Sequence, residues 1–253
     1  MTEQTIYEFP LNERIRVFLR LEHLFAQLDY FLSSKDTWNN RAAIQTLVDI
    51  LTLSNRGDLK SEILKELDYR NNKHHQNNQQ TQQLKDLLIE LTVIGQQLQK
   101  TDGKIGSHLL NHHLFQSITQ RAAIAGGNCS FDLPGFHFWL EQSENQQHSD
   151  LQDWIKPLIS VRTAIALILN FLRNSNENQQ YIAKTGFFQM SPNNNQSYQM
   201  LRILLPNTSP YFVEFSGGKH RFSLRFMQPL KNTANRPKQT PKDVTFNLNC
   251  CLF

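Results

Sequence analysis

The chain has 253 residues, 39% of them hydrophobic and 10% aromatic, which is enough to bury a core in one large domain or two smaller ones without cross-links. Its 26 Lys and Arg stand against 22 Asp and Glu, a net charge of only +4, so any strong charge preference has to be local. No run approaches the roughly 18 apolar residues of a membrane span, and the start, Met1-Thr-Glu-Gln-Thr-Ile-Tyr-Glu8, lacks the basic and apolar regions of a signal peptide. A cytoplasmic protein without membrane insertion is expected.

Ile6-Tyr-Glu-Phe9 before Pro10 can form an N-terminal strand. Asn12 then caps a helix whose apolar positions Ile15, Phe18, Leu21, Phe25, Leu28 and Leu32 follow the helical period. Ile44, Leu47, Val48 and Leu51 mark a second helix, stopped by Ser54-Asn-Arg-Gly57, and Asp58 caps a third with Leu59, Ile63, Leu64 and Leu67 inward. Arg56 is thereby placed on a tight turn between helices. Residues 71–83 hold nine Asn or Gln in thirteen positions and offer nothing to bury, so a loop, frayed helix or spacer is expected there.

A fourth helix rests on Leu84, Leu87, Leu88, Leu91, Ile94 and Leu98, and a fifth on Leu110, Leu114 and Ile118, ending at Gly126-Gly127. Pro134 suits the first turn of a helix carrying Phe136, Trp139 and Leu140. After Asp150 a long apolar segment runs through Trp154, Leu158, Ile165, Leu169 and Leu172, with a break or kink at Pro157. It suits the centre of a bundle or a dimer face.

Beyond Ser175 the period changes to two. Strands are expected over 180–190, 197–205, 211–215, 219–228 and 243–250, with Gly217-Gly218 as a hairpin turn between the third and fourth. The fold class is therefore α+β: an N-terminal helical domain over 10–175 and a C-terminal, mainly antiparallel β domain over 176–253, which the N-terminal strand can join.

Within 219–228 the alternation is informative. Arg221, Ser223 and Arg225 fall on one face and Phe222, Leu224 and Phe226 on the other, so apolar side chains anchor the strand while two guanidinium groups point away. From 215 to 242 the cations Lys219, Arg221, Arg225, Lys231, Arg236, Lys238 and Lys242 occur with no Asp or Glu, which leaves the rest of the chain slightly acidic. That asymmetry favours an anionic partner, whether peptide, nucleic acid or membrane surface. A single-stranded nucleic acid is disfavoured, because Phe222 and Phe226 point opposite to the arginines and a stacking platform needs both on one face.

Chemistry is sparse. Cys129, Cys250 and Cys251 are odd in number and lack paired CxxC spacing, and alternation sends Cys250 and Cys251 to opposite faces of a strand, so neither a disulfide framework nor a zinc site is expected. His74-His75 and His112-His113 show no HExxH pattern, and no GxGxxG, P-loop or GxSxG motif occurs. The expectation is a binding protein, not an enzyme, with no cofactor.

The segments Pro10-Leu-Asn-Glu-Arg-Ile-Arg-Val-Phe-Leu-Arg-Leu-Glu22, Arg56-Gly-Asp58 with Leu64-Lys-Glu-Leu-Asp68, Gly126-Gly127 with Ser130-Phe-Asp-Leu-Pro134, Gly186-Phe-Phe-Gln189, Ser223-Leu-Arg-Phe-Met227 and Phe246-Asn-Leu-Asn-Cys-Cys251 follow one another in an order that resembles the ZapD family of cell-division proteins. The resemblance implies a cytoplasmic homodimer with a helical and a β-rich domain. Such a dimer binds the C-terminal tail of the tubulin-like protein FtsZ and bundles its filaments at the midcell ring. It further implies no catalysis, and tail binding by basic side chains at Arg56, Arg221 and Arg225, with Lys219 and His220 beside them. An acidic peptide then takes precedence over nucleic acid as the partner.

Overall fold

Four helices in this chain begin where a short polar side chain accepts from a free backbone N–H group. The computed structural model describes residues 4–34, 36–55, 57–75, 82–100, 103–191, 198–218, 220–229 and 236–252, with the backbone alone at 70–75 and 82–88. Asn12 accepts from the Ile15 N–H at 2.9 Å and opens α1 (Glu13–Leu32), and Asp58 accepts from the Ser61 N–H at 3.1 Å and opens α3 (Leu59–His75). These are the two caps expected from the sequence. Asp36 adds a third, accepting from the Trp38 and Asn39 N–H groups at 3.0 Å each at the start of α2 (Thr37–Ser54).

Helix α4 (Gln82–Lys100) packs against α3 and buries Leu91, Ile94 and Leu98. The described parts of the Asn/Gln-rich stretch are therefore helical, as ends of α3 and α4, while 76–81 lie outside the described residues. The fifth helix expected from the sequence is instead two. His112, at φ −83° and ψ 124°, is extended and separates α5 (Ser107–Leu110) from α6 (His113–Arg121), which stops short of the glycine pair. Pro134 opens α7 (Pro134–Leu140), which buries Phe136, Trp139 and Leu140 as expected.

The helix that leads into the apolar segment starts before Asp150. Ser143 accepts the Gln146 N–H at 3.3 Å and opens α8 (Glu144–Ile155); a 3₁₀ turn at Lys156–Leu158 then breaks the ladder at Pro157, and α9 (Ile159–Arg173) follows. By length and composition Glu144–Arg173 is a helical run apolar enough to cross a membrane, which counting strictly consecutive apolar residues does not bring out. Its Leu158, Val161, Ile165, Ile168 and Leu172 are nonetheless buried in the protein while Ile159 is exposed, so the run is amphipathic with one face inward.

The chain divides into two compact units, Val17–Ile168, which is helical, and Met1–Arg16 together with Leu169–Phe253, which carries the strands. The β unit is a sandwich. Its first sheet has the order β1 (Gln4–Pro10), β4 (Tyr198–Pro206), β8 (Val244–Leu252), β2 (Gln179–Ala183). Its second has the order β3 (Phe187–Met190), β6 (Phe222–Gln228), β5 (Phe212–Gly217), with the short β7 (Lys238–Gln239) also on β6. All pairings are antiparallel. Alternate residues, among them Leu201, Ile203, Leu205, Phe246 and Leu248 from one sheet and Val213, Phe222, Leu224 and Phe226 from the other, form a shared core, and Tyr7 and Phe9 of the N-terminal strand pack on it.

The strand expected over 180–190 is two strands in different sheets. Thr185 at φ +48° and Gly186 at φ +70° turn the chain from β2 into β3. A Cβ on Gly186 would lie 2.6 Å from the Thr240 carbonyl oxygen, so the crossover requires glycine. Asp243 fixes the same turn, accepting from Lys184 Nζ at 2.7 Å and the Thr185 N–H at 2.9 Å.

On the outer face of the first sheet Glu8 accepts from Arg173 Nε at 2.8 Å and Nη2 at 2.8 Å, and from Arg202 Nε at 2.9 Å. Burial alone would raise the Glu8 pKa. The hydrogen bond and charge of Arg173, and then those of Arg202, outweigh it and hold the carboxyl below its ordinary value.

Candidate functional site

Hydrophobic anchoring explains why β6 presents its arginines. Phe222, Leu224 and Phe226 are at most 1% exposed, and β6 is flanked by β3 on one side and β5 on the other. The opposite parity leaves Arg221 and Arg225 exposed and Ser223 half-buried, as the alternation predicts, and His220, ahead of the strand, is exposed as well. Among the described residues no ion pair engages Arg221, Arg225 or His220. Lys219 and Arg56 lie outside the described residues.

Arg221 differs in one respect from its expected place in the strand. Gly217, at φ +134°, pairs with Phe222, and the Gly218 N–H donates to the Arg221 carbonyl at 3.0 Å, so Arg221 sits at the exit of the hairpin turn. A Cβ on Gly217 would lie 2.6 Å from Phe222 Cα, which makes this glycine a condition of the turn that presents Arg221. Arg225, by contrast, is held mid-strand.

Cross-strand register supplies what a one-dimensional reading cannot. Arg225 is paired with Phe187 on β3 and with Glu214 on β5, and directly opposed residues share a face. Phe187 is 38% exposed and Glu214 is exposed. An aromatic ring thus shares the arginine face, contrary to the separation inferred from Phe222 and Phe226 alone, and a carboxylate borders the stretch that lacks acids in sequence. The only signals for either were Glu214 lying just before that stretch and the Gly186-Phe-Phe188 run, whose parity needs the register to interpret. At the other end of the stretch Asp243 is engaged by Lys184 and Thr185.

The cysteines behave as core thiols. Cys250 packs toward the sandwich core and Cys251 is fully buried, on the opposite faces that alternation requires. Burial pushes their pKa values up to about 11 and about 12, away from the reactive thiolate. A cavity of about 390 Å³ is lined by Cys250, Tyr181, Tyr198, Met190 and Glu177. Burial raises the Tyr181 and Tyr198 pKa values as well, so all three shifted groups favour their neutral forms, the reverse of an activated nucleophile. Among the described residues no group of three or more His, Cys, Asp or Glu could hold a metal ion.

Fold and site together define a two-unit α+β protein with an exposed cationic sheet face. The ZapD family model, described as a cell division protein, matches residues 19–225. Relatives named Cell division protein ZapD include those of Methylococcus capsulatus, 43% identical over all of both chains, and Nitrosomonas eutropha, 36% identical over 97% of this chain and 98% of the relative. That of Ralstonia nicotianae is 35% identical over 98% of this chain and 99% of its own length. The chain belongs to the ZapD family of cell division proteins.

Proposed function

We propose that this protein is a non-enzymatic cytoplasmic division factor that binds the C-terminal tail of FtsZ and, as a homodimer, cross-links FtsZ filaments at the midcell ring. The observation that carries the reading is Arg225, exposed and free of ion pairs among the described residues, on a strand that three buried apolar side chains fix in place. A guanidinium in that setting can engage a carboxylate through two parallel N–H groups while its stem covers neighbouring apolar surface. Arg221 and His220 extend the face toward the turn, and Arg56 and Lys219 are assigned to the same partner. A two-fold dimer carries the face twice. Once one tail is held, the second face meets a neighbouring tail at high effective concentration, so weak single contacts suffice for bundling.

Co-sedimentation with polymerised FtsZ tests this, using filaments with and without the C-terminal tail. Pelleting and bundling should require the tail. A folded monomeric variant should bind the tail peptide and fail to bundle. Rising salt should weaken peptide binding, because the Debye length is only about 8 Å at physiological ionic strength.

Phe187 on the arginine face favours a second reading, a single-stranded nucleic acid whose bases stack beside the cations. Glu214 on the same face opposes it, since a phosphate chain crossing Arg225 would approach that carboxylate. Tail-dependent pelleting without retention of oligonucleotide separates the two.

A further inference from the structure

The outer face of the second sheet is graded along β6. At one end stands Arg221, followed by a polar row in which Ser223 is opposed by Gln189 and Ser216. Arg225 comes next, between Phe187 and Glu214, and beyond it Met227 is opposed by Phe212, both half-buried. Opposed Cα atoms in antiparallel strands are about 4.5–5.5 Å apart, so the Phe187 ring and the Glu214 carboxylate both lie within reach of whatever Arg225 holds.

We propose that Phe187 and Glu214 are the specificity-determining residues of this face, selecting a peptide that carries a carboxylate beside an apolar side chain and rejecting a polyanion. The proposal rests on the tail-binding reading above and deepens it. A single carboxylate can approach Arg225 from the Arg221 side, while its apolar neighbour covers Phe187 and the Met227–Phe212 row. Glu214 then sits on the far edge, where it meets little charge. A polyanion brings a charge at every repeat and cannot cross the face without placing one near Glu214, where the like charges repel. Its repeating charge also gains nothing from the apolar row.

Fluorescence anisotropy of the full-length protein, with the FtsZ C-terminal tail peptide and with oligothymidylate as probes, tests this. Glu214→Gln should raise oligothymidylate affinity about two- to fivefold, the range of an exposed charge interaction, and should raise tail affinity by less. Phe187→Thr, which keeps a strand-favouring residue, should lower tail affinity about fivefold and leave oligothymidylate binding and the salt dependence unchanged. Thermal unfolding identifies the folded preparations. Should Phe187→Thr fail to fold, Glu214→Gln, an exposed and isosteric change, decides alone. Glu214→Gln that moves neither probe, or favours the tail over oligothymidylate, overturns the proposal, as does a folded Phe187→Thr with wild-type tail affinity. Arg225→Glu separates the levels: wild-type tail affinity in that variant removes tail binding from this face altogether, whereas weakened binding with Glu214→Gln and Phe187→Thr both silent overturns only the selectivity.

Discussion

Two pairs of arginines in the β unit meet opposite fates. Arg173 and Arg202 converge on Glu8 with their side chains 24% and 17% exposed, and the carboxylate itself is 18% exposed. Arg221 and Arg225 stand on the other sheet's outer face, exposed and without an ion pair among the described residues. The amino acid is the same, and what differs is whether another strand delivers a carboxylate into reach. β1 brings Glu8 opposite Arg202, so that arginine is consumed in holding the N-terminal strand. β5 brings Glu214 opposite Arg225 without closing an ion pair among the described residues, and that guanidinium stays exposed.

The largest expected effect breaks the first pair. Glu8→Ala leaves two partly buried guanidinium groups facing one another, and removing one member of such a network costs about 3 kcal/mol. Thermal or denaturant unfolding should show that loss, while the folded fraction keeps its affinity for the FtsZ tail. A neutral effect on stability together with weakened tail binding would mean that the two arginine pairs are not separate in function.

Acid should reproduce part of this effect. The folded-state pKa of Glu8 is depressed below its ordinary 4.5, so its contribution is present in full above that value and is lost as pH falls through the folded value. Denaturant midpoints measured from roughly pH 6 down to pH 3 should fall for the wild type and fall less for Glu8→Gln. Equal slopes would show that Glu8 contributes nothing to acid sensitivity.

The second pair should show the inverse pattern. Arg225→Glu is expected to reduce tail affinity about tenfold while changing stability by no more than about 0.5 kcal/mol, since the side chain is solvent-facing. Arg221→Glu should act in the same direction by about threefold, because a residue at the exit of a turn is held less firmly than one in mid-strand. Calorimetric titration with the tail peptide measures both. If Arg221→Glu proved the more damaging, the turn would be the centre of the face and the strand its edge.

Local patterns made much of this architecture legible. Asn12, Asp58, Pro134 and Pro157 act at the helix boundaries their chemistry implies, and the alternation from Arg221 to Phe226 gives the orientation of β6. What escaped the sequence is non-local. Thr185 and Gly186 read as the middle of one strand because nothing in a one-dimensional pattern shows that Phe226 of β6 and Thr240, just after β7, crowd Gly186. The Glu8 network joins positions 8, 173 and 202, which only the register of β1 with β4 and the end of α9 bring together. Phe187 and Glu214 likewise become neighbours of Arg225 only through pairing. Charge counted along the chain found the basic face and missed the acid within it.

The position of β8 has a consequence for how the molecule is made. This strand, Val244–Leu252, lies between β4 and β2 inside the first sheet, and β1 joins that sheet through β4. On the ribosome, then, the helical unit from Val17 to Ile168 is fully exposed to folding while β1 still waits for its partners. At about 5–20 residues per second, on the order of ten to fifty seconds separate the synthesis of β1 from that of β8. For most of that interval, until β4 is made, Ile6, Tyr7 and Phe9 have no strand to pair with, the kind of segment that chaperones capture and that aggregates when they do not. Yield during expression should therefore respond to translation rate and chaperone supply more than the stability of the finished fold would suggest.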